Sequence, residues 1–222
     1  MTPWITKPVP FNIGQGAAAA VVTITRGCWG GGYTTSASNV IDYVTIQTTG
    51  NADDFGDLSR SSAGMAGCSG SGRGCWGGGG NPRTDTIDYI TILSTGNATD
   101  FGDLQTARNE LGACSDATRG IWAGGTTGTK SNEMGYIAIL TGGSASDFGN
   151  LTEARSGLAG VSDGTLGVFG GSNNGTVRTD IIDYITIQTA NDAQDWGDLT
   201  VARDLLGACS DASRAVFAGG ET

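Results

Sequence analysis

Four short phrases return along this chain at a near-constant interval, and a fixed period of this length narrows the possible folds to repeat architectures. Cys-Trp-Gly-Gly occupies 28–31 and 75–78, and returns as Ile121-Trp122-Ala123-Gly124, Val168-Phe169-Gly170-Gly171 and Val216-Phe217-Ala218-Gly219. Its aromatic stands at 29, 76, 122, 169 and 217, so the period is 46 to 48 residues. Ile-Asp-Tyr-Val-Thr-Ile at 41–46 recurs at 87–92, 134–139 and 182–187. Asp-Phe-Gly-Asp-Leu at 54–58 recurs at 100–104, 147–151 and 195–199. Arg108, Arg155 and Arg203, with Ser62 in the first copy, head the fourth phrase, Leu-Gly-Ala-Cys-Ser and its variants.

Each period predicts four short strands. The Leu-Gly-Ala-Cys-Ser segment is the first. A tight turn follows, such as Ser115-Asp116-Ala117-Thr118, whose side chains can bond nearby backbone groups. The Trp-Gly-Gly segment is the second strand. The β-branched and aromatic Ile-Asp-Tyr phrase is the third, and the segment around Asp-Phe-Gly is the fourth. Large apolar groups fall on both faces of Ile41-Asp42-Tyr43-Val44-Thr45-Ile46. Such a strand suits sheets packed face to face around an axis better than a sandwich with one wet face.

The apolar strand ending in Gly-Gly, the later Tyr, the aromatics Phe55, Phe101, Phe148 and Trp196, and the Arg after them resemble the kelch repeat of β-propellers. The resemblance covers residues 17–220. The wording Thr-Gly-Asn-Ala-Thr-Asp-Phe-Gly-Asp-Leu and Arg-Gly-Cys-Trp-Gly-Gly-Gly is also similar to repeat proteins in the virions of tailed phages, especially marine and cyanobacterial ones. The fold expected is an all-β, kelch-like propeller over residues 17–222, with blades of four antiparallel strands. Five first-and-second strand pairs face only four third-and-fourth pairs, so the ring has five blades or four with a spare hairpin. In the five-bladed version residues 1–16, containing Trp4-Ile5-Thr6 and Val9-Pro10-Phe11-Asn12-Ile13, close the ring by adding outer strands to the last blade. Trp4 and Phe11 are otherwise docking anchors for a neighbouring protein.

What the chain lacks excludes several chemistries. It contains no histidine, which removes Ser-His-Asp and Cys-His catalysis and every His-ligated metal. A net charge of −10 disfavours phosphate backbones, so no nucleic-acid partner is expected. No apolar run approaches the roughly 20 residues of a membrane helix, and the first residues lack the build of a secretory signal. The cysteines follow the period: Cys68, Cys114 and Cys209 align with Val21 and Val161, and Cys28 and Cys75 align with Ile121, Val168 and Val216. Positions that take Cys, Val or Ile interchangeably are apolar packing sites. The repeated carboxylates Asp54, Asp100, Asp147 and Asp195 read as turn caps, with calcium at 95–100 a minor alternative. The repeated arginines read as ion pairs between blades. No catalytic residue, metal or cofactor is expected.

The copies differ most between their second and third strands. These loops carry Tyr33, Asn81, Arg83, Lys130, Asn173 and Arg178, the candidate binding residues. The resemblance implies a non-enzymatic virion protein, made in a bacterial cytoplasm. It would decorate the phage head or tail, or recognise a host surface glycan or protein, with other capsid or tail proteins as partners. A lectin binding sugars once per blade is the alternative.

Overall fold

In the computed structural model, residues 25–211 and 213–222 are described. The expected docking residues Trp4 and Phe11, and all of segment 1–16, lie outside them. The described residues form seventeen strands, no helix, and five separate antiparallel sheets. The first sheet holds β1 (Arg26–Gly30), β2 (Ser38–Thr45) and β3 (Asp53–Ser62). The second holds β4 (Ala66–Gly70), β5 (Arg73–Gly77), β6 (Thr86–Thr91) and β7 (Thr99–Asp103). The third holds β8 (Gly112–Ser115), β9 (Arg119–Ala123), β10 (Glu133–Ala138) and β11 (Ser146–Asn150). The fourth holds β12 (Ala159–Ser162), β13 (Leu166–Asn173), β14 (Arg178–Thr186) and β15 (Gln194–Asp198), and the fifth only β16 (Gly207–Ser210) and β17 (Ala215–Ala218). Each sheet is a meander in chain order, as the four phrases predict.

The Asp-Phe-Gly phrase makes a bulge. Ile87 pairs with Gly102 and Asp88 with Asp100, so Phe101 is the extra residue. Phe55, Phe148 and Trp196 stand at the same point. The carboxylate of the preceding Asp accepts the N–H of the following Gly, as Asp100 does from Gly102 at 3.0 Å. Bulging turns the aromatic inward, and Phe55, Phe101 and Phe148 are buried.

The core lies between sheets. One cluster joins Ile121, Met134, Phe148 and Leu151 of the third sheet and its following linker to Leu158, Phe169, Ile185 and Ile187 of the fourth and the linker before it. The clusters between the second and third sheets, and between the first and second, repeat this arrangement with equivalent residues. Ile121, Ile139 and Ile187 are fully buried, each worth about 1.5–3 kcal/mol relative to exposure.

The leading strands abut in order, β4 on β8, β8 on β12 and β12 on β16. Two ladders cross these contacts. The hydroxyls of Ser115, Ser162 and Ser210 donate to the carbonyls of Ser69, Ser115 and Ser162. At the other end the N–H groups of Glu110, Gly157 and Leu205 donate to the carbonyls of Gly64, Glu110 and Gly157 at 2.6, 2.8 and 2.8 Å. All four residues of this second ladder have positive φ, from 54° to 71°. Glycine meets that requirement in two copies; Glu110 and Leu205 adopt it despite the cost of a side chain.

Candidate functional site

The side chains that link the sheets limit which groups are left for other work. Arg26, Arg73 and Arg119 lie 4.3, 4.4 and 4.5 Å from the ring centroids of Tyr43, Tyr89 and Tyr136. Each then reaches the next sheet, donating to the carbonyl of Ile92, Ile139 or Ile187 at 3.1, 2.8 and 3.2 Å. The ion pairs expected for these arginines are therefore replaced by cation–π stacking and carbonyl bonds. In the fourth sheet Leu166 takes their place.

The arginines that head the leading strands behave differently. Arg155 and Asp183 form an ion pair at 3.0 Å with both side chains fully buried. Arg155 also donates to the carbonyls of Ile181 and Phe169, and Thr152 donates its hydroxyl and N–H to Asp183. Burial lowers the pKa of Arg155, and the Asp183 carboxylate opposes that shift. In the preceding copy Gly135 stands where Asp183 would, and Arg108 pairs instead with Glu133 at 3.2 Å.

Three of the six candidate loop residues tie neighbouring segments together. Arg83 donates to Asn109 at 3.2 Å. Lys130 donates to Ser156 at 2.6 Å and lies 3.6 Å from Glu110. Arg178 pairs with Asp204 at 2.8 Å and with Glu221 at 2.6 Å. Asn173 exchanges backbone bonds with Ser156, and its side-chain oxygen accepts the N–H of Gly175. Tyr33, 72% exposed, and the exposed Asn81 are turned to solvent. The second loops of the third and fourth sheets touch, with Gly175 against the stem of Lys130. A cationic side chain in the loops of the second, third and fourth sheets thus grips the linker that leads into the next sheet. The unequal distances of these cations past the preceding aromatic, seven residues from Trp76, eight from Trp122 and nine from Phe169, hid this shared task.

A hollow of about 210 Å³ runs from Tyr89 to Thr99, and one of about 150 Å³ from Tyr184 to Gln194. They occupy equivalent places in the second and fourth sheets and are lined by Tyr, Thr and amide or carboxylate groups. The segment considered for calcium lies here, and two of its oxygens are engaged: Asn97 Oδ1 accepts the N–H of Asp57, and Asp100 Oδ1 that of Gly102. Among the described residues no group of three or more Cys, Asp or Glu is placed to hold a metal ion.

All five cysteines are free thiols. Cys75 and Cys114 are buried among the apolar residues of the inter-sheet clusters, and burial pushes the Cys114 thiol far up. Cys209, on the fifth sheet, is exposed. The chain matches no protein-family model and no curated protein.

Proposed function

We propose that the chain is a kelch-like β-propeller that works without catalysis, as a rigid holder for the loops between the second and third strands of each sheet. The observation that carries this reading is the sameness of the joints set beside the difference of the loops. The Arg–Tyr–carbonyl clamp recurs from sheet one to sheet four, and both backbone-and-serine ladders run from sheet two to sheet five. The loops share one cationic grip on the following linker and otherwise differ in length and sequence. A scaffold repeated so closely fixes the positions of loops free to differ. The repeated carboxylates Asp54, Asp100, Asp147 and Asp195 all accept the N–H of the glycine two residues on, a set of equivalent groups unlike the asymmetric acid pair that hydrolases use.

The wording of the repeats supports a place in the virion of a tailed phage, as a decoration of head or tail or as the part that meets the host surface. Fluorescently labelled protein added to candidate host cells tests the second role. Saturable binding that Tyr33→Ala weakens supports host recognition. No binding at micromolar concentration removes that role and leaves decoration, which is checked by mass spectrometry of purified virions.

A sugar-binding role is favoured by the two equivalent hollows at Tyr89–Thr99 and Tyr184–Gln194. Repeated weak sites would act through avidity. A glycan array read with the intact protein tests it, and Thr91→Ala together with Thr186→Ala should abolish any signal.

A further inference from the structure

The sheets fit together by a rule that fails at one joint. At the other three joints, each sheet's fourth-strand aromatic is covered by the next sheet's third strand. Two side chains of that strand fill the space, Ile90 and Ile92, Ile137 and Ile139, or Ile185 and Ile187. The loop beyond it gives N–H groups to the covered bulge, two at the first and second joints and one, from Ala193 to the Asn150 carbonyl, at the third. Gly96 donates to the Phe55 carbonyl and Ala98 to that of Asp57, and Gly143 and Ala145 do the same for Phe101 and Asp103.

The fifth sheet, among the described residues, has no third strand. A groove of about 530 Å³ is left between it and the fourth sheet, lined by Leu166, Val168, Ile182, Trp196, Val216 and Phe217. Trp196 is 56% exposed, whereas its equivalent Phe148 is buried. A Cβ on Gly149 would lie 2.5 Å from the Asn191 carbonyl oxygen, while one on Gly197 would meet nothing of the described residues within 4 Å. The groove thus lies where the third strand of the fifth sheet would stand, along the outer edge of β17.

We propose that residues 3–7 of the same chain, Pro-Trp-Ile-Thr-Lys, fill this groove as the third strand of the fifth sheet. The run Trp4-Ile5-Thr6 reproduces Tyr184-Ile185-Thr186 and Tyr89-Ile90-Thr91. In the register of the fourth sheet, where Val168 pairs with Tyr184 and Leu166 with Thr186, Trp4 falls opposite Val216 and Thr6 opposite Arg214. Arg214 then has Trp4 to stack on, as Arg119 has Tyr136.

One pair of differences between the copies picks out this occupant. Wherever the first three sheets carry Arg, the facing strand carries Ile: Arg26 with Ile92, Arg73 with Ile139, and Arg119 with Ile187. At the fourth joint the sheet carries Leu166, and the aligned residue of the N-terminal run is Lys7. The cation and the apolar group have changed sides. In that register the stem of Lys7 would lie on Leu166 and its ammonium would reach the turn of Asp163. The third joint shows that this end of the strand reaches that turn, because Gln188, one residue past Ile187, bonds Asp116, the equivalent of Asp163, at 2.5 Å.

The assignment rests on the propeller reading only in requiring the N-terminal run to lie beside the fifth sheet. Hydrogen exchange of the intact protein tests it. In the wild type the amides of Ile5 and Thr6 should exchange at least about a hundredfold slower than in an unstructured peptide. Leu166→Arg sets a guanidinium against Lys7 and should remove most of that protection. Leu166→Arg with Lys7→Ile restores the pairing of the other joints and should bring it back. Lys7→Ile alone should keep it, and residues 73–151 report in each variant whether the other sheets remain folded. Free exchange at 5 and 6 in the wild type, or equal protection in the single and double Leu166 variants, overturns the proposal. Light scattering should give the mass of one chain; a larger mass that falls on Leu166→Arg would assign the groove to a second copy and overturn it too. Failure to bind cells or glycans bears on the display function and leaves this result untouched.

Discussion

Arg155 and Asp183 face each other across 3.0 Å with no exposed side-chain surface, and every bond around them joins one sheet to the next or holds the linker between. Two charges so deep are held by mutual attraction and by the carbonyls and Thr152 around them. Removing one partner strands the other. Asp183→Ala should cost about 3–5 kcal/mol and lower the denaturation midpoint more than any surface substitution. Replacing the pair together, Arg155→Met with Asp183→Leu, should cost less than either single change. Urea unfolding of the three variants checks this, and a double replacement as damaging as Asp183→Ala would contradict it.

The turns between first and second strands predict an acid limit to stability. Burial raises Asp116, but bonds from Gln188, Arg119 and Thr118 outweigh it and hold the carboxyl below its ordinary value. Asp163 is held low by the N–H groups of Leu166 and Thr165, and Asp211 by the hydroxyl of Ser213 and the N–H groups of Arg214 and Ser213. A carboxyl lowered on folding contributes stability above its unfolded pKa and loses it as pH falls through its folded one. The Tm should therefore be flat from about pH 7 to 5 and fall below about pH 4. Asp116→Asn with Asp163→Asn should lower the neutral Tm and shrink that acid drop.

The period, the strand order and the turn chemistry were legible because each is local: a phrase of five or six residues decides a strand, and Asp two residues before Thr118 decides a turn. The apolar reading of Cys75 and Cys114 was legible because other copies write Ile and Val there. The partners of the arginines were not. Arg119 and Arg155 look alike in sequence, and only the assembled sheets set one on Tyr136 and the Ile187 carbonyl and the other on Asp183. The bulge at Phe101 was also hidden, since a strand and a bulged strand share one composition. Loop residues such as Lys130 and Arg178 stood out as unmatched, yet their bonds to Ser156 and Asp204 arise from packing between segments 26 residues apart.

Thiol chemistry should follow burial. Cys209 should react with an aromatic disulfide reagent in the folded protein, while Cys75 and Cys114 should react only after denaturant is added. Cys114→Val copies the residue that stands at 161 and should change stability by less than about 1.5 kcal/mol. Rapid modification of Cys114 in native buffer, read by peptide mass, would contradict the core placement.

Gly149 and Gly197 share one backbone shape, with φ of 133° and 134°, but not one neighbourhood. A methyl on Gly149 would lie 2.5 Å from the Asn191 oxygen, so Gly149→Ala must push the loop of the fourth sheet away and carry the strain of positive φ as well. Gly197→Ala carries the same strain with nothing from the described residues within 4 Å. The difference between the two variants therefore measures the close approach of the sheets, apart from the backbone cost they share. Gly149→Ala should be the more damaging by about 1–3 kcal/mol, the range for overpacking, and Gly102→Ala, whose methyl would meet the Gly143 backbone at 2.6 Å, should match it. Thermal unfolding of the three proteins decides the matter. Equal losses at 149 and 197 would mean that the inter-sheet contact at Asn191 contributes nothing, or that Gly197 is as tightly covered in solution as Gly149.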